Sequence, residues 1–167
     1  MDDRAWVAAA VGRFERPLLA YVRGLLNDRH RGRDVVQEAF LELCRASRSE
    51  VEPKLAPWLF TVCRRRVLDT LRKEQRMTSL TVEPPGKTAG PADSFDTRDA
   101  AAAVLARLAD LPASQQEAVR LRFLQSFSYR EIASVMGLTE SHVGVLLHTA
   151  IKTLRQTCTL TLPEAQS

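Results

Sequence analysis

The stretch from Ser128 to Arg155 constrains this chain most. Ser128 and Glu131 have the spacing of a capping box and open a short helix through Met136. Gly137-Leu138 supplies a tight turn, and Thr139 or Ser141 starts a longer last helix. Ile132, Ala133, Met136, Leu138, Val143 and Leu147 are spaced to form a small core, with Ala133 small where the two helices approach. A short helix, a glycine turn and a long helix make helix-turn-helix spacing. The plainer alternative is a helical hairpin in a bundle. In the first case the second helix enters the major groove of DNA, and its N-terminal part meets base edges.

The rest of the chain is patterned the same way. Leu18, Leu19, Val22, Leu25 and Leu26 fall on one helical face. Pro17 suits a first-turn position or a break from a preceding helix. Asn27 to Gly32 reads as a polar turn. Val35, Val36, Ala39, Phe40 and Leu43 make a second stripe, Ser47 to Pro57 reads as a loop, and a third helix is predicted from about Pro57 to Lys73 with Leu59, Val62, Cys63 and Leu71 inward. Ala100 to Leu111 is alanine-rich, and Ser114 to Leu124 is a helix opened by a capping box at Ser114 and Glu117. No segment alternates with period two for long enough to make a strand. Residues 78–99 hold three of the eight prolines and two of the seven glycines without any sustained period, which is linker composition. The expected architecture is all-α: two small helical domains joined by a flexible linker. The boundaries fall at 1–75, 76–99, 100–160 and a tail at 161–167.

Charge is unevenly spread over the 167 residues. The net charge is only +4, but Lys54 to Lys73 carries six basic residues against Asp69 alone. Three adjacent arginines inside an apolar-patterned helix point to a polyanion, against the alternative of a solvated face. The three cysteines, Cys44, Cys63 and Cys158, lack metal-site spacing. Cys44 and Cys63 read as small buried hydrophobes in a reducing compartment. His30, His142 and His148 form no ligand cluster, and no phosphate loop or nucleophile motif appears. We therefore expect no catalytic residues, metal or cofactor. No apolar run approaches membrane-spanning length, and Met1-Asp2-Asp3-Arg4 lacks a signal peptide's basic start. A cytoplasmic protein without membrane insertion is expected.

Two separate motif sets then carry a family resemblance. Leu111-Pro112, Gln116 to Phe123, Ser128 to Ala133 and Met136 to Thr139 resemble region 4 of bacterial sigma factors, closest to the extracytoplasmic-function (ECF) class of the sigma-70 family. Asp34-Val35-Val36-Gln37-Glu38-Ala39-Phe40-Leu41 resembles the region 2 helix that docks on core RNA polymerase. Trp58 to Asp69 resembles the adjoining helix that opens promoter DNA. The likeness covers residues 1–73 and 101–157. It implies a winged-helix-like, four-helix region 4, with core RNA polymerase and promoter DNA as partners. It also implies an anti-sigma factor that would pack on exposed apolar and basic faces of a free form. Region 2 would recognise and melt the −10 element and region 4 would hold the −35 element, while the polymerase does the chemistry.

The resemblance also distributes roles. Asp34, Gln37, Glu38 and Leu41 would bind the polymerase, as a compact acidic and amide-bearing patch docking on a basic helical surface. Read from the residues alone, a solvated helix face explains Glu38 and Glu42 equally well. Trp58, Thr61, Arg65, Asp69 and Arg72 share one side of their helix. With Arg64, Arg66 and Lys73 they would contact DNA, the cations neutralising phosphate and the aromatic wedging against an unpaired base. Trp58 equally suits a core position at a helix start. The family builds a pocket for a flipped base from the loop Ser47 to Ala56, which here contains Arg48, Glu50, Glu52 and Lys54. In the second domain Ser128, Tyr129, Arg130, Ser141, His142, Val145, His148, Thr149 and Lys152 are the DNA candidates.

Two departures stand out. Arg65 replaces an asparagine common in the family, which leaves the preferred base open. Gly144, Val145, Leu146 and Thr149 stand where many relatives carry basic or polar residues. The recognition helix is thus expected to make few charged contacts with DNA and to anchor more than it reads. Two rivals remain: a stand-alone DNA-binding regulator, which would not need the Asp34 to Leu41 pattern, and a nucleic-acid-processing enzyme, which would need paired acids or a metal cluster.

Overall fold

The computed structural model describes residues 2–26, 28–78 and 106–159. The expected linker beyond Thr78, the start of the alanine-rich helix, the side chain of Cys158 and the tail at 161–167 lie outside the described residues. Those residues are helical throughout their regular structure and hold no strand. The chain divides into two compact units.

The first unit is built on three long helices: α1 (Asp3–Leu26), α2 (Arg29–Arg45) and α4 (Leu55–Thr78). Each packs on the other two. On α1, Trp6, Ala10, Phe14, Leu18 and Val22 recur every four residues and are all buried. This stripe runs straight past Pro17, which therefore lies inside α1 and neither starts nor breaks a helix. Proline removes one backbone donor and crowds the preceding turn, but the continuous apolar face on both sides offsets that cost. From α2 come Val35, Val36, Ala39, Phe40 and Leu43; from α4 come Leu59, Phe60, Val62, Cys63 and Val67. Tyr21 and Phe60 meet with ring centroids 5.0 Å apart in a tilted pair, a favourable aromatic geometry. Leu71 is only half-buried, so the inward face of α4 ends near Val67.

Three connections differ from the sequence reading. Of the stretch expected as a polar turn, Arg29 to Gly32 are helix: the Asp28 carboxylate accepts from the backbone N–H of His30 and Arg31 at 3.0 and 3.4 Å, so α2 starts at Arg29, while Asn27 lies outside the described residues. Gly32 is consequently buried within α2. The expected loop from Ser47 to Pro57 is also helical. It comprises α3 (Arg48–Val51), a 3-10 turn (Glu52–Lys54) and the start of α4. Pro53 and Pro57 sit in first turns, where a missing N–H costs little, and Val51 is buried. Finally, α4 runs to Thr78, past the expected end at Lys73. Lys73 to Met77 are good helix formers, and Glu74 pairs with Arg31 of α2.

The cysteines also divide. Cys63 is fully buried, and burial pushes its thiol up to about 12. Cys44 is exposed, against expectation; it lies just beyond the buried edge at Leu43.

The second unit holds α5 (Ala113–Phe123), α6 (Tyr129–Met136) through Ala133, and α7 (Glu140–Thr159). Residues 106–109 are helical ahead of α5. The capping box expected at Ser114 and Glu117 does not form. Pro112 occupies the cap position without a side-chain bond, and Glu117 is buried. The Gln116 amide instead ties α5 to the preceding turn, donating to the carbonyls of Ala109 and Leu111 at 3.2 and 2.7 Å. Leu121, Ile132, Val143, Leu147 and Ala150 are all at or near zero exposure.

Candidate functional site

In the second unit the local chemistry of the helix-turn-helix is complete. Ser128 N–H donates to the Glu131 carboxylate at 2.8 Å, and Glu131 N–H donates to the Ser128 hydroxyl at 3.1 Å. Both halves of a capping box are therefore present. Gly137 takes φ +66°, a conformation that side chains disfavour, and Leu138 N–H closes the turn on the Ala133 carbonyl at 3.0 Å. The Thr139 hydroxyl accepts from His142 N–H at 3.1 Å and caps α7.

This framework fixes what α7 presents. Val143, Leu146, Leu147 and Ala150 are buried. Ser141, His142, Val145, His148, Thr149 and Lys152 are exposed together, spaced along the opposite face. Val145 is 62% exposed, the apolar member of an otherwise polar row. Ser128, Tyr129 and Arg130 are exposed at the start of α6. Arg122, which the sequence pattern did not single out, connects these parts. Its guanidinium lies 5.2 Å from the Tyr129 ring centre, and its Nη1 donates to the Phe127 carbonyl at 2.9 Å. Tyr129 in turn lies over Gly144, where an added Cβ would sit 3.7 Å from its Cε2.

In the first unit the two candidate surfaces touch each other. Asp34, Gln37, Glu38 and Leu41 are all exposed on α2, Leu41 at 56%. Glu38 is not a freely presented acid, however. It accepts from Arg66 Nη1 at 2.6 Å. Glu42 accepts from Arg65 at 2.7 Å and from Arg66 Nη2 at 2.9 Å. Burial opposes ionisation of Glu42, but hydrogen bonds and charge from Arg65 and Arg66 outweigh it and hold the carboxyl below its ordinary value. Arg66 Nε is buried without a partner. Two of the three adjacent arginines are thus drawn onto α2.

The remaining α4 candidates spread along the helix. Trp58, Thr61 and Arg64 are half-buried, and the Thr61 hydroxyl donates to the Pro57 carbonyl at 2.7 Å. Asp69, Arg72 and Lys73 are exposed, with Asp69 and Arg72 3.9 Å apart. A cleft of about 280 Å³ between α2 and α4 mixes Arg31, Arg66 and Lys73 with Asp34, Glu38 and Asp69. Its signs cancel, so it favours no anion or cation.

The segment after Ser47 is held from the N-terminus. Arg48 reaches Glu52 at 3.1 Å and Asp3 at 3.8 Å, and its guanidinium lies 5.4 Å from the Trp6 ring centre. Glu42 and Arg48 act between segments far apart in sequence, and local periodicity carries no signal for that; Arg122 acts over five to seven residues, across the turn between α5 and α6. Among the described residues no group of three metal-ligating side chains comes together, and no helix is long and apolar enough to cross a membrane.

Comparison with known proteins follows this division. Residues 10–77 match the family model for sigma-70 region 2, and residues 101–154 match that for sigma-70 region 4. The ECF RNA polymerase sigma factor SigM of Bacillus subtilis is 24% identical over 140 residues, spanning 81% of this chain and 84% of that one. SigL of Mycobacterium tuberculosis, also an ECF RNA polymerase sigma factor, is 29% identical over 148 residues, 84% of this chain and 81% of its own. Among solved structures, the sigma factor RpoE of Bartonella quintana, crystallised with the anti-sigma factor NepR, superposes with a TM-score of 0.66. It covers 93% of this chain and 98% of that one at 20% identity, a likeness of fold.

Proposed function

The chain belongs to the sigma-70 family of RNA polymerase sigma factors, in its ECF class, and from that premise we propose how its two units divide the work. The protein binds core RNA polymerase and directs promoter-specific initiation. Region 2, taken as residues 1–75, recognises and melts the −10 element, and region 4, taken as residues 100–160, holds the −35 element. The observation that carries this reading is the presence of a region 2 match and a region 4 match, in that order, in one chain.

On α2, Asp34, Gln37, Glu38 and Leu41 dock on the polymerase. Their exposure on one helix supports this, as does the mix of one apolar and several polar groups, which suits steering followed by burial of a small anchor. On α4, Arg64, Arg65, Arg72 and Lys73 follow the DNA backbone, and Trp58 with Thr61 faces the opened strand. In the second unit the outer row of α7 enters the major groove, with Ser128, Tyr129 and Arg130 on flanking phosphates. The chain itself catalyses nothing; it works in the cytoplasm, where the polymerase is. An anti-sigma factor that covers these faces in the free form belongs to the same proposal.

Transcription from genomic promoter fragments with core polymerase, with and without this protein, tests the reading. Start-specific transcripts that depend on the protein are expected. Their absence from every promoter would overturn it.

A further inference from the structure

Apart from Glu140 in its first turn and Lys152 in its fourth, the recognition helix lacks, before Arg155, the side chains that usually distinguish bases; Glu140 lies five residues from Val145, well round the helix from the exposed row. In the major groove, arginine or lysine pairs with guanine, asparagine or glutamine with adenine, acids with cytosine, and apolar groups meet the thymine methyl. The exposed row of α7 is Ser141, His142, Val145, His148, Thr149 and Lys152. It has no arginine, asparagine or glutamine before Arg155. Ser141 and Thr149 accept several partners, and each histidine ring both donates and accepts, so these groups separate bases poorly. Lys152 stands in the fourth turn, away from the helix start that meets base edges.

Val145 is different. It is 62% exposed, centred three residues from each histidine. Its β-branched side chain is stiff, so ordering it costs little entropy. The preceding residue, Gly144, projects nothing, and the Tyr129 ring lies beside it, so α7 itself adds no bulk next to Val145. A lone exposed valine in a polar row is too small an apolar patch for a protein partner.

We propose that Val145 is the specificity-determining residue of α7, and that it reads the 5-methyl group of a thymine in the upstream promoter element. The proposal rests on the reading that α7 lies in the major groove there. Burying one methyl group is worth about a fourfold change in affinity.

The test uses the full chain with core polymerase. Upstream elements are first selected from a randomised promoter library. In the selected duplex each thymine is then replaced, one at a time, by deoxyuridine, which lacks only the methyl group. Wild type should lose about three- to fivefold in affinity at one or two positions. Val145→Ala should bind thymine and uracil equally there, and Val145→Ile should retain the preference. Alanine favours the helix and the site is exposed, so misfolding does not explain that pattern. Two results overturn the inference: no uracil-sensitive position, or the same sensitivity in wild type and Val145→Ala. If the library yields no upstream preference and the upstream DNA is not protected from cleavage, the groove reading itself falls, and the inference with it.

Discussion

Arg66 and Glu42 are joined across the α2–α4 interface by a 2.9 Å hydrogen bond, and Arg65 holds the same carboxylate at 2.7 Å. One acid on the helix proposed to face the polymerase thus gathers two cations from the helix proposed to face DNA. An ion pair this exposed contributes modestly to stability, but this one is networked and places a buried, unpartnered Arg66 Nε beside it. Removing the acid leaves Arg66 partly buried with less compensation.

Glu42→Gln should therefore destabilise the first unit by about 1 kcal/mol near neutral pH. The pH dependence gives a sharper check. The carboxyl is depressed in the folded state by Arg65 and Arg66 against the opposing effect of burial. A depressed acid contributes stability above its unfolded pKa and loses it as pH falls through the folded one. Thermal unfolding should show the variant less stable at about pH 7 and progressively closer to wild type on acidification below about pH 4. A gap that does not narrow would show that Glu42 acts by packing.

The same bond makes Arg65 a cation that must leave Glu42 to reach phosphate. If it does so in the promoter complex, Arg65→Ala should weaken holoenzyme–promoter binding uniformly across sequences and reduce the salt slope by about one. Equilibrium binding over a salt series measures this. An unchanged slope would mean that Arg65 stays on α2 and braces the two helices. Because Arg66 is tied to both Glu38 and Glu42, replacing all three arginines together would mix loss of DNA contact with loss of fold, so the single variant is the cleaner probe.

Asp34, Gln37 and Leu41 are exposed on α2. A combined change of Asp34 and Gln37 to alanine should weaken core polymerase binding by about 1–3 kcal/mol if these side chains are anchors. Leu41→Ala should act the same way, since a leucine 56% exposed gains by burial in a complex. Affinity for core polymerase, measured with the folded variants, decides; no change would return this surface to an ordinary solvated face.

What was legible in the sequence was the local part. The capping box at Ser128 and Glu131 and the turn at Gly137 depend on residues within a few positions of each other, and their patterns were explicit; between Thr139 and Ser141 as the start of the last helix, the structure selects the Thr139 cap. The apolar face of α2 was also plain, because burial repeats with the helical period; on α4 the period found Leu59, Val62 and Cys63 but left out Phe60 and Val67 and placed Leu71 inward. Three features were hidden. Proline and polar residues at Pro17, Asn27 to Gly32 and Ser47 to Pro57 suggested breaks, but the α1 stripe, the Asp28 cap and the buried Val51 overrode local propensity. Glu117 had capping-box spacing but is buried instead. The pairing of Arg65 and Arg66 with Glu38 and Glu42 joins positions more than twenty residues apart, so each cluster read singly looked like a free charged patch.

The turn of the helix-turn-helix offers the most direct test of whether the second unit works as a preset reader. Ser128 satisfies one end of α6, and Gly137 closes the other in a left-handed conformation with open space around its Cβ position. Gly137→Ala thus meets no clash, and its cost is conformational, about 1 kcal/mol. Ser128→Ala removes a cap and costs about the same. The two sites lie at opposite ends of α6, so their effects on the unit's unfolding should add. Neither side chain is needed to meet a base. If α6 serves only to hold α7 in place, both variants should lower the unfolding temperature of the second unit yet leave the selected upstream sequence unchanged at temperatures where the unit is folded. Thermal melts paired with library selection measure the two separately. A changed sequence preference in folded Gly137→Ala would show that the turn sets the angle at which α7 presents Val145 and its neighbours, and that the geometry of the motif carries part of the readout.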